Sequence, residues 1–308
     1  IKSIRAVRHG GIIQALYESA LGNHIGVHID RLEDPFQPEY GGYLITSDGG
    51  LGISEHLHHL GYTTDDGNLT ILPRALASRL PEELRSRVNV SAIAGPSIAG
   101  EVAVHRHTSV VFTGEDPEVL ARWRELFATE HYHVWTNTDF VGVEVCAATK
   151  NCYAFGAGFM QGLLDAMGEA AGDRYVNYNY GAALFGQASV EMIQFMELLG
   201  GKPTTPIGLP GIGDCFVTSM GGRNVRCGRL VGSGMTFSQA RAQMPGVTLE
   251  GAAAIVVIGR AVVRLTERGI VPPERFPLLR HLYEVVGLDQ PVAVPWDSFF
   301  GGDGSGQA

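Results

Sequence analysis

Near residue 140 the chain changes its hydrophobic period, and that change limits the folds open to it. Before this point short runs rich in β-branched and aromatic residues alternate with helical patterns. "YLITSD" (43–48), "NVSAIAG" (89–95), "TSVVFTG" (108–114) and "YHVWTNT" (132–138) are predicted strands. Between the last two lies "DPEVLARWRELFATEH", where Asp116 is a natural N-cap and Pro117 fits the first helical position. Val119, Leu120, Trp123, Leu126 and Phe127 then fall on one side. After residue 140 strand signals fade, and apolar helical patterns occupy 141–168, 180–199, 250–268 and 274–286. Gly269 and Gly287 follow the last two as expected C-caps, and "TFSQ" at 236–239 has the capping-box form. The expectation is an α/β domain over 1–140, an all-helical domain over 141–300, and a disordered tail, "GGDGSGQA", at 301–308.

Length agrees: 308 residues exceed a single typical core at roughly 150 residues per domain. With 45% hydrophobic and 18% charged residues the chain reads as a globular enzyme, and a net charge of −9 without a basic cluster argues against nucleic acid as a partner. A small-molecule ligand is expected instead. "AAAIVVIGRAVV" is broken by Arg260 well short of the ~20 residues of a membrane span, and no signal-peptide centre opens the sequence, so a cytoplasmic protein is expected. Cys146, Cys152, Cys215 and Cys227 form no CxxC, and no histidine stands at metal-ligand spacing to them; no metal site is expected and the thiols read as packing groups.

An α/β domain ahead of a helical one suggests a nucleotide-dependent dehydrogenase, yet no glycine fingerprint opens the chain. "GAGFMQG" at 156–162 has GxGxxxG spacing but follows a helical run, so its small residues read as a close helix–helix contact. "GGLGIS" at 49–54 lacks the third glycine and reads as a turn.

Three stretches carry chemistry. In "AGPSIAGEV" (94–102) a strand ends at Gly95-Pro96 and a helix is expected to open at Ser97, baring amides that favour an anion; a plain N-cap is the alternative. "CAATKNCYAFGAG" (146–158) places Lys150, one of only three lysines, in a small apolar run beside Asn151. Desolvation disfavours the charged form of a lysine amine, which suits it to take a proton, unless its head simply reaches water or a structural carboxylate. "GLPGIGDCFVTSMGGRN" (208–224) packs Asp214, Thr218, Arg223 and Asn224 among glycines. There Asp214 can orient Lys150 and Arg223 offers a planar fork to phosphate oxygens; a turn-rich helix connection is the alternative.

With "GVEVCAATKN", "GGRN" and "TLEG" added, these stretches, in this order and at these separations over residues 68–287, resemble the NAD(P)-dependent sn-glycerol-3-phosphate dehydrogenases. The "GGRN" form is similar to archaeal-type members. The resemblance implies a Rossmann-like first domain, a helical second domain of the 6-phosphogluconate-dehydrogenase-like type, NAD or NADP as cofactor and a phosphorylated substrate; the long apolar helices point to a homodimer. It implies further that Lys150 is the proton acceptor with Asp214 and Thr218 beside it. Gly95, Ser97, Asn151, Arg223 and Asn224 would hold the substrate and its phosphate, and Ala99, Arg223 and Glu250 would meet the cofactor.

Two departures accompany the likeness. The family's first strand, glycine turn and helix have no counterpart, so the chain is expected to be N-terminally incomplete. The family's second active-site lysine is absent, its place matching "LITSDGGLG" with Ser47 and Asp48. Two other classes therefore stay open: a dehydrogenase of another phosphorylated polyol or hydroxy acid, and a non-catalytic binding or dimerising descendant.

Overall fold

A computed structural model describes residues 3–6, 43–46, 70–85, 88–168 and 177–301. The expected features at Ser47, Asp48, 49–54 and 302–308 lie outside the described residues. The chain divides into two units, Ile1–Leu60 with Arg74–Val88, and Gly61–Pro73 with Asn89–Ala308.

In the first unit β1 (Ser3–Ala6) pairs antiparallel with β2 (Tyr43–Thr46), Ser3 opposite Thr46. Most of α1 (Leu72–Arg79) and all of α2 (Glu82–Arg85) also belong here. The Arg85 guanidinium ties them by donating to the carbonyls of Leu80 and Ser78, at 2.8 and 2.7 Å.

The second unit holds a three-stranded sheet and the helical bundle. β3 (Ser91–Ala94), the short α3 (Ala99–Ala103), β4 (Thr108–Gly114), α4 (Pro117–Phe127) and β5 (Tyr132–Asn137) follow in order, with β4 central. β4 runs antiparallel to β3 and parallel to β5, so the described sheet is mixed. Alternation of side chains across the pleat gives it two faces. Val110, Phe112 and Val134 pack with Leu120 of α4, while Ala94 and Val111 on the other face pack with Val143 of the next helix. The Asp116 carboxylate caps α4 by accepting from the amides of Glu118 and Val119, and Pro117 takes the first turn.

Helix α5 (Phe140–Met167) is the axis of the bundle. It is apolar nearly all round, and Val143, Cys146, Cys152, Ala154, Phe155 and Phe159 are all buried, as a helix enclosed by others requires. Asp139 opens it, accepting from the Gly142 amide at 3.0 Å, and its second oxygen accepts from the Lys202 amide at 2.8 Å and the Thr205 hydroxyl at 2.5 Å. Around α5 stand α6 (Tyr178–Leu199), α7 (Asp214–Ser219), α8 (Arg223–Gly232), α9 (Phe237–Ala242), α10 (Glu250–Glu267) and α11 (Pro277–Gly287). The intimate contact is with α8. A Cβ on Gly158 would lie 2.3 Å from the Val225 carbonyl oxygen, one on Gly162 2.2 Å from that of Arg229, and one on Gly228 1.9 Å from that of Phe155. Gly158 and Gly162 of "GAGFMQG" thus bring two backbones together, as the sequence reading has it.

Inside the bundle the buried Glu191 carboxylate receives the amides of Leu278 and Leu279, the first free N–H groups of α11, together with the Tyr153 hydroxyl and the Gln187 amide. Burial pushes its pKa up to about 7 while these donors pull the other way.

Several boundaries differ from expectation. Ser97 is not an N-cap: the helix starts at Ala99, Ile98 holds the capping position, and no side chain caps it. Gly269 does end α10, at φ +69° with the Ile270 amide returning to the Leu265 carbonyl at 2.9 Å. Gly287 instead closes α11 from within, where its missing side chain makes room for the Tyr283 ring, and Asp289 adopts the left-handed conformation beyond it.

Candidate functional site

The site forms where the end of β3 meets α5 and the segment leading into α7. Asp214 sits at the start of α7, directly after a single π-helical turn, Leu209–Gly213. That turn needs glycine: a Cβ on Gly211 would stand 2.1 Å from the Pro206 carbonyl oxygen, and the Ile212 amide donates to the same oxygen at 2.7 Å. Such insertions re-aim the residues after them. Here they aim Asp214 at α5.

The Lys150 ammonium donates to Asp214 Oδ2 at 2.5 Å, its side chain 20% exposed against 3% for its partner. The same oxygen accepts from the Gly95 amide at 3.0 Å, and the Thr218 hydroxyl donates to the Asp214 carbonyl and to Oδ1. Gly95 has φ +112° and its Cα faces the Val110 backbone, so glycine satisfies both the turn and the close approach. One buried carboxylate therefore fixes the end of β3, a lysine amine and a hydroxyl together.

Asn151, the next residue on α5, extends the site. Its Oδ1 accepts from Asn224 Nδ2 at 3.5 Å, while Asn224 Oδ1 accepts from the Gly251 amide at 3.1 Å. Gly251 is required there, since a Cβ would lie 2.4 Å from the Asn151 carbonyl oxygen and 2.8 Å from Asn224 Oδ1. Arg223 Nε and Nη2 each donate to a Glu250 oxygen at 2.6 Å, a bidentate pair with side chains 23% and 26% exposed. Lys150, Asn151, Asp214, Thr218, Arg223, Asn224, Glu250 and Gly95 are thus linked through contacts and adjacent positions. Ser97 and Ala99 lie on the exposed stretch just past Gly95, outside those contacts.

A cleft of about 670 Å³ opens elsewhere, between the sheet and the loop before the π turn, with Ser109, Trp135, Asn137, Lys202, Thr204 and Leu209 in its lining. Neither Lys150 nor Asp214 lines it. Lys202 belongs to that cleft. Burial pushes the thiols of Cys146, Cys152 and Cys215 up, the last to about 12, which fits packing roles.

The sequence reading did not find the Gly95 amide as Asp214's partner, nor Gly251 as the place where α10 touches both asparagines. Only the glycine opening "EGAAA" hinted at the second.

The family model described as NAD-dependent glycerol-3-phosphate dehydrogenase C-terminus matches residues 139–294. A glycerol-3-phosphate dehydrogenase [NAD(P)+] from Carboxydothermus hydrogenoformans is 33% identical over 239 residues, 77% of this chain and 64% of that protein. An NADP(+)-dependent glycerol-3-phosphate dehydrogenase from Archaeoglobus fulgidus is 34% identical over 179 residues, 58% of this chain and 51% of that protein. The solved structure of a glycerol-3-phosphate dehydrogenase from Coxiella burnetii superposes with a TM-score of 0.60 at 25% identity, covering 77% of this chain and 65% of that one. The chain spans less than two thirds of the length of each of these three proteins. On the family match and these likenesses, the chain belongs to the NAD-dependent glycerol-3-phosphate dehydrogenase family.

Proposed function

We propose that the protein interconverts sn-glycerol 3-phosphate and dihydroxyacetone phosphate with NAD or NADP as redox partner. The observation that carries this reading is the Lys150–Asp214 pair, buried on the carboxylate side and held to the end of β3. In the oxidative direction the Lys150 amine takes the proton of the C2 hydroxyl; in reduction its ammonium returns that proton to the forming alkoxide. Asp214 holds the amine in place and Thr218 steadies the carboxylate. Asn151, Asn224 and Arg223 supply donors for the substrate hydroxyls and phosphate, with Ser97 at the strand's carboxyl end. The Gly95 amide already serves Asp214, so this residue acts toward the substrate by close backbone approach.

The residues present suit a nicotinamide nucleotide at its reactive end. Ala99 is exposed just past the strand end, and the partly exposed Arg223–Glu250 pair offers both a cation and acceptors beside Asn224. The bound nucleotide supplies the hydride chemistry; the chain supplies proton handling and orientation. The same reading gives residues 1–140 the nucleotide and 141–300 the substrate, in a cytoplasmic homodimer. No helix among the described residues is long and apolar enough to cross a membrane.

The test is Lys150→Ala, assayed with sn-glycerol 3-phosphate and either nucleotide. Turnover is expected to fall by about 10²–10⁴-fold, with circular dichroism and melting temperature retained. Activity close to that of the unaltered protein would refute the assignment.

A further inference from the structure

Four of the chain's eleven histidines meet on one patch of the second unit, outside the contacts of the site above. They come as two pairs with one residue between, "HRH" at 105–107 and "HYH" at 131–133, leading into the parallel strands β4 and β5. The register sets Ser109 opposite His133, which continues to His107 opposite His131. Parallel pairing of the strands they lead into brings the two pairs side by side, with His105 in a turn at φ +58° before β4. The rings form a chain: His105 stacks on His131 at 5.4 Å between centroids, His131 meets His107 edge-on at 5.4 Å, and His107 stacks on His133 at 5.2 Å.

Within the cluster His107 Nδ1 and His133 Nε2 are 2.9 Å apart, close enough that the two nitrogens share one hydrogen. His131 Nδ1 is buried and has no hydrogen-bond partner, one of a few such atoms among the described residues. Glu130 adds a carboxylate oxygen 3.9 Å from His131 Nε2. Each neutral imidazole keeps one lone-pair nitrogen, so the patch gathers four nitrogens able to bind a cation.

We infer that this patch is a site for a divalent transition metal of the nitrogen-preferring class, such as Zn²⁺, Ni²⁺ or Cu²⁺, with His107 Nδ1 and His133 Nε2 as its protein ligands. Metal–nitrogen bonds of about 2.0–2.1 Å put two ligand nitrogens roughly 2.8–3.0 Å apart at square angles and roughly 3.3–3.4 Å apart at tetrahedral ones, so the observed separation suits the first and a small opening gives the second. The exposed His107 side chain has the freedom to make it. No three histidine, cysteine or carboxylate groups among the described residues converge on one point, so the site is bidentate and water completes the coordination. His105 and His131 flank it and Glu130 offsets part of the cation's charge. The ligand reading uses only side chains that take no part in the contacts of Lys150 and Asp214, so it stands whether or not the proposed activity does.

The test is calorimetric titration of the chelator-stripped full chain with Zn²⁺ alone, set against His107→Ala and His133→Ala. The chain has seven further histidines, so the difference between proteins is the readout. Each variant is expected to lose one bound equivalent, with Cu²⁺ held tighter than Zn²⁺ and Mg²⁺ producing no difference between variant and parent. His133→Gln, which keeps the volume, replaces His133→Ala if the latter lowers the melting temperature. Isotherms unchanged by either substitution overturn the inference, as does a Mg²⁺ response that depends on the same two residues.

Discussion

Asp214 is the residue on which the others depend, because its carboxylate accepts from a backbone amide, an ammonium and a hydroxyl that belong to distant parts of the chain. A buried carboxylate with these partners fixes their relative positions far better than any pair of exposed side chains. Asp214→Asn keeps the size of the side chain but removes its charge and one acceptor. Under the proposed function its kcat should fall on the order of 10²-fold with KM changed much less, because Lys150 loses its orientation rather than the substrate its donors. Steady-state kinetics with varied glycerol 3-phosphate separates the two constants, and a loss confined to KM would reassign Asp214 to substrate binding. The residue types were legible: an isolated lysine in an apolar helix and an aspartate after glycines point to each other. The Gly95 amide was not, since a backbone group carries no signature in the sequence and its partner lies 119 positions away. Ser97 misled for the opposite reason, a good capping residue standing two places before a helix that begins with no side-chain cap.

Elements announced by local chemistry fell where the sequence placed them. Asp116-Pro117 opens α4, and Thr236 with Gln239 closes a reciprocal capping box at 3.3 and 3.0 Å. The antiparallel pairing of β3 with β4 was not legible, because strand direction is settled by which neighbours cover the sheet and not by the strand's own residues. Nor was the π turn before Asp214, which only the packing of Gly211 on Pro206 reveals. The seam between α5 and α8 offers a sharp test at this scale. Gly158→Ala sets a methyl against backbone atoms that cannot rotate aside, so the helices must part, at a cost of about 1–3 kcal/mol or more. Gly100→Ala in α3 meets nothing within 4 Å and should leave stability unchanged or slightly raised. Thermal melts of the two variants check the contrast; equal melting temperatures would mean the seam is looser than its contacts imply.

Across the molecule, two carboxylates are folded into apolar surroundings, Glu144 and Glu191, and burial lifts each to about 7 from a reference of 4.5. The folded protein then holds protons that the unfolded chain has released. Their contribution is complete below about pH 4.5 and is lost as pH rises through about 7, so these groups make stability fall with increasing pH over that window. Glu144, whose lift comes from burial alone, accounts for a change on the order of 3 kcal/mol. Melting temperatures between pH 5 and 8, compared for the parent and Glu144→Gln, should show a shallower slope in the variant; parallel curves would rule out this source. The change of period near residue 140 coincides with the start of α5 at Phe140, whereas the burial of Glu144 two turns before Lys150 was hidden by the ordinary look of "GVEV". The enclosure of α5 has one more outcome. Lys150 and Asn151 ride on a rod that glycines press from one flank and Asp139 anchors at its origin, so neither has room to recede before a bulkier reactant. Under the proposed function, any yielding to an arriving molecule therefore falls to other segments, the largely exposed stretch from Ser97 to Val104 that follows Gly95 among them.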